Sequence, residues 1–158
     1  MNNWDDLLLT GGFAPRARLL AGLTLDEVGM CPSGAPHSIY QELWHAAMCQ
    51  QFTLEGGMEA LGAWPWEEHF PITPEPASQR EWDDLVEMFL EGSEQAVQRA
   101  EDRVWLEAPE HALTDWTWRN SLEFLTMHSA YHLGKIVLLR QILGLWPPPN
   151  PETADEAN

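Results

Sequence analysis

The chain has 158 residues, about the length of one ordinary domain, and its 44% hydrophobic and 21% charged residues exclude collagen-like and wholly disordered classes. Eight basic against 25 acidic residues give a formal net charge of −17, a surface that repels phosphate and so argues against nucleic acid and against anionic membranes. Cys31 and Cys49 are too few for a disulfide framework. Asp5 and Asp6 precede the first apolar run, the wrong charge order for an export signal, and no stretch reaches the roughly 18 to 20 apolar residues of a membrane span. A soluble cytoplasmic protein is the expectation.

In chain order, Trp4, Leu7 and Leu8, then Leu19, Leu20 and Leu23, fit helical spacing, but Gly11, Gly12 and Pro15 interrupt it, which predicts a kinked or split first helix. A turn-rich connector from Asp26 to His37 follows. Ser38 with Gln41 three residues later has the form of a capping box and opens a helix from Ile39 to about Glu59, apolar nearly all round. Gly62 to Ala77, with four prolines, is a second connector. Ser78 with Glu81 opens a helix from about Gln79 to Glu101, in which Trp82, Leu85, Val86, Phe89 and Leu90 form a buried stripe opposite Asp83, Asp84, Glu87, Glu91 and Glu94.

Arg103 to Arg119 is the third connector, with a short extended pair expected at Val104 to Leu106 and Asp115 to Trp118. Asn120 with Glu123 then opens the strongest helix, which Gly144 and the prolines from Pro147 onward terminate. The result is an all-α fold, a four-helix bundle with long connectors, comprising one domain over 1–149 and a polar tail over 150–158.

Of the six histidines, His128 and His132 stand four apart in that last helix. They share a face with Leu125, Ile136 and Leu139, with Cβ atoms about 5 to 6 Å apart, close enough to share a metal ion. Random placement of six histidines in 158 positions gives about 0.2 such pairs, and two buried, hydrogen-bonded histidines are the plainer alternative. His45, mid-helix beside Met48 and Phe52, is the best third ligand. His37, His69 and His111 lie in connectors and read as solvated loop histidines.

These segments carry a resemblance. His45, in a helix opening Ser38-Ile39-Tyr40-Gln41-Glu42-Leu43-Trp44, together with His128-Ser-Ala-Tyr-His132-Leu-Gly-Lys-Ile136 and the run from Leu139 to Pro147, resembles the DinB-like (YfiT-related) superfamily over nearly the whole chain. The resemblance implies a four-helix bundle in which three histidines, here His45, His128 and His132, bind a divalent metal. It also implies kinship with thiol-dependent S-transferases and isomerases that use bacillithiol or mycothiol, and related proteins often form homodimers.

Three neutral imidazoles would leave the +2 charge of such an ion uncompensated and one position open to water or a substrate atom, the pattern of a catalytic rather than a structural site. Zinc is the first expectation, with nickel, iron or manganese as alternatives. The ion would activate either water or a low-molecular-weight thiol, so the expected partner is a small molecule. The alternatives are a non-catalytic metal- or ligand-binding bundle and a metal-dependent hydrolase. Glu42, one turn before His45, would orient an imidazole, act as a base, or simply be solvated. Cys49 reads as a small buried residue rather than a fourth ligand, Tyr131 as packing, the Trp116 to Trp118 cluster as core or pocket rim, and Lys135 has no assigned role.

Overall fold

The computed structural model describes residues 3–10, 14–112 and 114–148. Three long helices make the body: α3 (Ile39–Ala63), α4 (Gln79–Ala100) and α6 (Trp118–Ile142). The fourth side is filled by the expected split segment, a π-helical turn at Asp6–Thr10 followed by the short helices α1 (Arg16–Leu20) and α2 (Leu25–Gly29). A further short helix, α5 (Arg103–Glu107), connects α4 to α6. No described helix is long and apolar enough to cross a membrane. The expected tail over 150–158 lies outside the described residues.

The caps place the helices. Ser38 Oγ accepts the Gln41 N–H while the Gln41 side chain accepts the Ser38 N–H, a complete capping box. Only half of the second expected box forms. Ser78 Oγ accepts the Glu81 N–H, but the Glu81 carboxylate accepts instead from the Ala77 N–H at 2.7 Å and from Tyr40 Oη at 2.6 Å. At α6 the helix starts three residues earlier than Asn120 predicts: Thr117 is the cap, and Asn120 Oδ1 accepts the Thr117 N–H at 3.0 Å. The helix ends as expected, with Gly144 at φ +76° and the Leu145 N–H closing on the Arg140 carbonyl at 2.7 Å, the six-to-one bond of a Schellman turn.

Two expectations need correction. The extended pair at Val104 to Leu106 and Asp115 to Trp118 does not form, because Asp102 caps Val104 and Trp105 and turns that segment into α5. What remains is one antiparallel bridge, Pro109 to Thr117. Helix α3 also runs past Glu59 to Ala63, across a break at Gly57, which sits at φ +67° with the Met58 N–H taken by the Glu110 carboxylate.

The main core joins the N-terminal half of α3 (Ile39, Leu43, Ala46, Ala47) to Phe89 of α4 and Leu133, Ile136 and Leu139 of α6. Two buried arginines anchor chains of polar contacts. Arg16 donates to Ser93 Oγ at 2.9 Å, Ser93 to Gln50 Oε1, and Gln50 to the Phe89 carbonyl, while Arg140 donates to the Leu19 and Ala21 carbonyls and ties α6 to α1.

Candidate metal centre

Packing α3 against α6 brings His45 onto His128 and His132. One nitrogen from each imidazole lies within 4.8 Å of the others, and this is the group among the described residues close enough to hold a metal ion. His45 and His132 are buried and His128 is half-buried. Cys49 is buried one turn beyond His45 and outside the group, and burial raises its thiol to about 12, so it stays protonated.

Hydrogen bonds fix how two of the rings point. His45 Nδ1 donates to the His69 carbonyl at 2.9 Å, and His132 Nδ1 donates to Glu42 Oε2 at 2.7 Å. Each bond puts a proton on Nδ1, so that in the neutral ring Nε2 carries a bare lone pair. The Nε2 atoms of His45 and His128 then face one another at 3.2 Å, and His128 Nδ1 is buried with no partner. Nitrogens bound to one tetrahedral zinc at about 2.0 to 2.1 Å lie roughly 3.4 Å apart, so the separation suits a shared cation. Burial pushes the His45 and His128 imidazoles down to about 4 and about 3, and the neighbouring His132 pushes the same way, so both rings are uncharged at neutral pH.

Glu42 is 1% exposed and gathers three donors. His132 donates to Oε2, while His37 Nδ1, at 3.1 Å, and Lys135 Nζ both reach Oε1. Burial alone would raise this carboxyl, but the hydrogen bonds and charge of His132 and Lys135 outweigh it and hold it at about 2. A carboxylate that fixes the tautomer and direction of a ligating imidazole is the usual second layer of a metal site. Of the alternatives open to Glu42, orienting an imidazole is therefore the one that the geometry supports.

The loop after α3 closes over this arrangement. Gln41 Nε2 donates to the Pro71 carbonyl at 2.8 Å, Ser38 Oγ to that of Pro74, and Phe70 stacks on both His45 (4.6 Å) and His37 (3.6 Å). Trp64 stacks on His45 and on His69, Phe124 stacks on His128, and Tyr131 meets His132 edge-on at 5.0 Å.

His37 and His69 are thus not solvated loop residues. His37 precedes the cap of α3, the position whose side chain folds back on the fourth residue of a helix, here Glu42, and that spacing was the available signal. His69 acts through its backbone carbonyl, which no residue pattern reveals. His111 does sit in a loop, 3.8 Å from Glu59. Lys135 has a role after all, as the counter-ion of Glu42. Trp116 is away from the histidines, donating to Ser121 Oγ at 2.8 Å beside a cavity of about 320 Å³ lined by Met58 and Glu110. No family model, no curated protein and no solved structure matches the chain.

Proposed function

We propose that the chain is a divalent-metal-dependent enzyme of DinB-like type, with His45, His128 and His132 as the ligands, zinc as the ion and a small thiol as the activated reactant. The observation that carries the reading is the convergence of three imidazole nitrogens, two of them on rings held in place by hydrogen bonds at Nδ1. A bound divalent ion with an open position supplies Lewis acidity, which deprotonates a thiol or acidifies water. The chain's own part is orientation and exclusion. Glu42 and the His69 carbonyl aim the ligands, Lys135 neutralises Glu42, and Phe70 and Trp64 keep water from the His45 side.

Glu42 favours the thiol over hydrolysis. A hydrolase needs a base to take a proton from water, and a carboxyl held at about 2, with both oxygens engaged, is a poor one. A thiol needs no such base, because coordination alone lowers its pKa.

The test is metal analysis of protein purified without a histidine tag, beside His45→Ala and His132→Ala. One equivalent of metal in the wild type and loss in both variants supports the site; equal metal in all three overturns it. Loaded protein is then incubated with a panel of small thiols and an electrophile. Turnover above free metal supports the enzyme, and none with any pairing leaves a metal-binding bundle without catalysis.

A further inference from the structure

A hollow runs along the side of α6 that faces away from the histidines. At about 100° per residue, Thr126, Ala130 and Val137 lie on the opposite side of the helix from His128 and His132. With Leu7, Leu19 and Trp146 they line a cavity of about 620 Å³, apolar over most of its wall, which follows α6 for about 16 Å between Thr126 and Val137. A space of this size, walled by apolar side chains with a few polar groups, has the form of a small-molecule site.

The polar groups in the wall say what the ligand carries. Arg16, 3% exposed, is one of them. One of its N–H groups goes to Ser93 Oγ at 2.9 Å and one to the Leu7 carbonyl at 3.3 Å, both neutral acceptors, and its other N–H groups have no hydrogen-bond partner among the described residues. The guanidinium also lies over the Phe89 ring, 5.3 Å from its centre. Burial lowers Arg16 to about 10, so it is charged at neutral pH, and no described carboxylate offsets that burial. The cations nearby are compensated: Lys135 by Glu42, and buried Arg140 by three carbonyls and the charge of Glu27. A buried cation with no counter-charge is costly, and with 25 acidic residues in the chain its isolation suits an anion that arrives from outside. Asp6 lines the hollow too, towards its other end. Leu8, in the same turn as Asp6, packs with Leu122 and Leu125, whereas Leu19 and Leu20, one turn after Arg16, pack with Leu133, Ile136 and Leu139. The Asp6 carboxylate accepts from Thr10 Oγ1 at 3.2 Å and makes no ion pair with Arg16.

We infer that this hollow binds a small carboxylic acid with an apolar body, its carboxylate on the free N–H groups of Arg16 and its body along α6. A carboxylate there gains charge-assisted bonds and supplies the missing counter-charge, while the apolar body covers the wall that Leu7, Val137 and Trp146 leave open. The site is separate from the histidines and does not depend on their holding metal.

Isothermal titration calorimetry of the full chain with decanoate, decanol and decyltrimethylammonium compares three head groups on one apolar body. Decanoate should bind with one equivalent and about 10-fold or more tightly than decanol, the cation most weakly, and chelator should change none of these affinities. Arg16→Met should bind decanoate and decanol alike. Because that change also removes two internal hydrogen bonds, a second variant tests the hollow itself. Gly134 lines it, and a Cβ there would meet nothing within 4 Å, so Gly134→Leu should fill the space, keep its far-UV circular dichroism and thermal midpoint, and lose decanoate binding at least 10-fold. Wild type that binds decanoate no better than decanol, a preference for the cation, a folded Gly134→Leu that binds as wild type does, or binding that chelator abolishes would overturn the inference.

Discussion

The convergence of His37, His132 and Lys135 on one buried carboxylate makes Glu42→Gln the most informative single change. Glutamine keeps the size and one acceptor oxygen but removes the charge. Holding the carboxyl at about 2 against an ordinary 4.5 corresponds to about 3 kcal/mol of stability at neutral pH, an upper bound because Gln still accepts one hydrogen bond. The sign is set by the direction of the shift. A folded pKa below the unfolded one gives stabilisation that is complete above about 4.5 and is lost as the pH falls towards 2. Linkage puts the loss at roughly 1 kcal/mol by pH 3.5. His45 and His128, also lowered, weaken the metal-free fold as pH falls below 6.5, and this cancels in the difference above about pH 4, where both folded rings are neutral; at lower pH the Glu42 charge, which raises both rings, works against the narrowing. The assay is urea unfolding of chelator-treated wild type and Glu42→Gln, followed by circular dichroism at pH 7, 5.5, 4.5 and 3.5. The gap should be flat from pH 7 to 5.5 and should narrow below 4.5. A gap that is absent at pH 7, or that keeps its full size at pH 3.5, would refute the claim that an ionised, donor-saturated Glu42 stabilises this fold. With metal present, the same variant should bind about 10- to 100-fold more weakly, because the His132 ring loses its ionic anchor.

His69→Ala should change metal affinity by no more than a few-fold, since the group that orients His45 is a backbone carbonyl, whereas His132→Ala should abolish stoichiometric binding; competition with a chromophoric chelator separates the two. Metal uptake at pH 7 should displace almost no proton from His45 and His128, and calorimetric titration in two buffers of different ionisation heat would expose a proton count above that expectation. Gly57→Ala should destabilise the fold by about 2 kcal/mol or more, because φ is +67° and the added Cβ would stand 2.5 Å from the Glu110 carboxylate; thermal unfolding reads the loss, and an unchanged midpoint would contradict the account of the break in α3.

The three long helices were legible because their information is local. Ser38 and Ser78 sit before periodic apolar runs, and Gly144 stands before prolines, so caps and stripes can be read within a few residues. The misread elements turned on competition between neighbouring signals. Val104 and Trp105 have strand-forming side chains, but Asp102 accepts their two N–H groups and the helical turn wins. The centre divides in the same way. His128 and His132 share one helix and announce themselves by spacing, and His45 could be chosen for its place in the middle of another. Glu42 was ambiguous because its role depends on His132, 90 residues away, and Lys135 could not be assigned until α3 and α6 were side by side.

That dependence on two helices determines what kind of site this is. His45 rides on the same stretch of α3 as Leu43, Ala46 and Ala47, and His132 lies beside Leu133 and Ile136, all of them in the main core. The small side chains of Ala46 and Ala47, both 1% exposed, let the helices approach. The distance between the ligating nitrogens is therefore set by apolar packing, with Glu42 bridging the helices and the loop from Trp64 to Pro74 clamped on top. In a zinc finger the ion assembles the fold; here core burial places the imidazoles and keeps two of them uncharged before any ion arrives. The −17 formal charge lies away from the histidines: Glu42, the buried carboxylate beside them, is matched by Lys135, and His45 and His128 are uncharged at neutral pH.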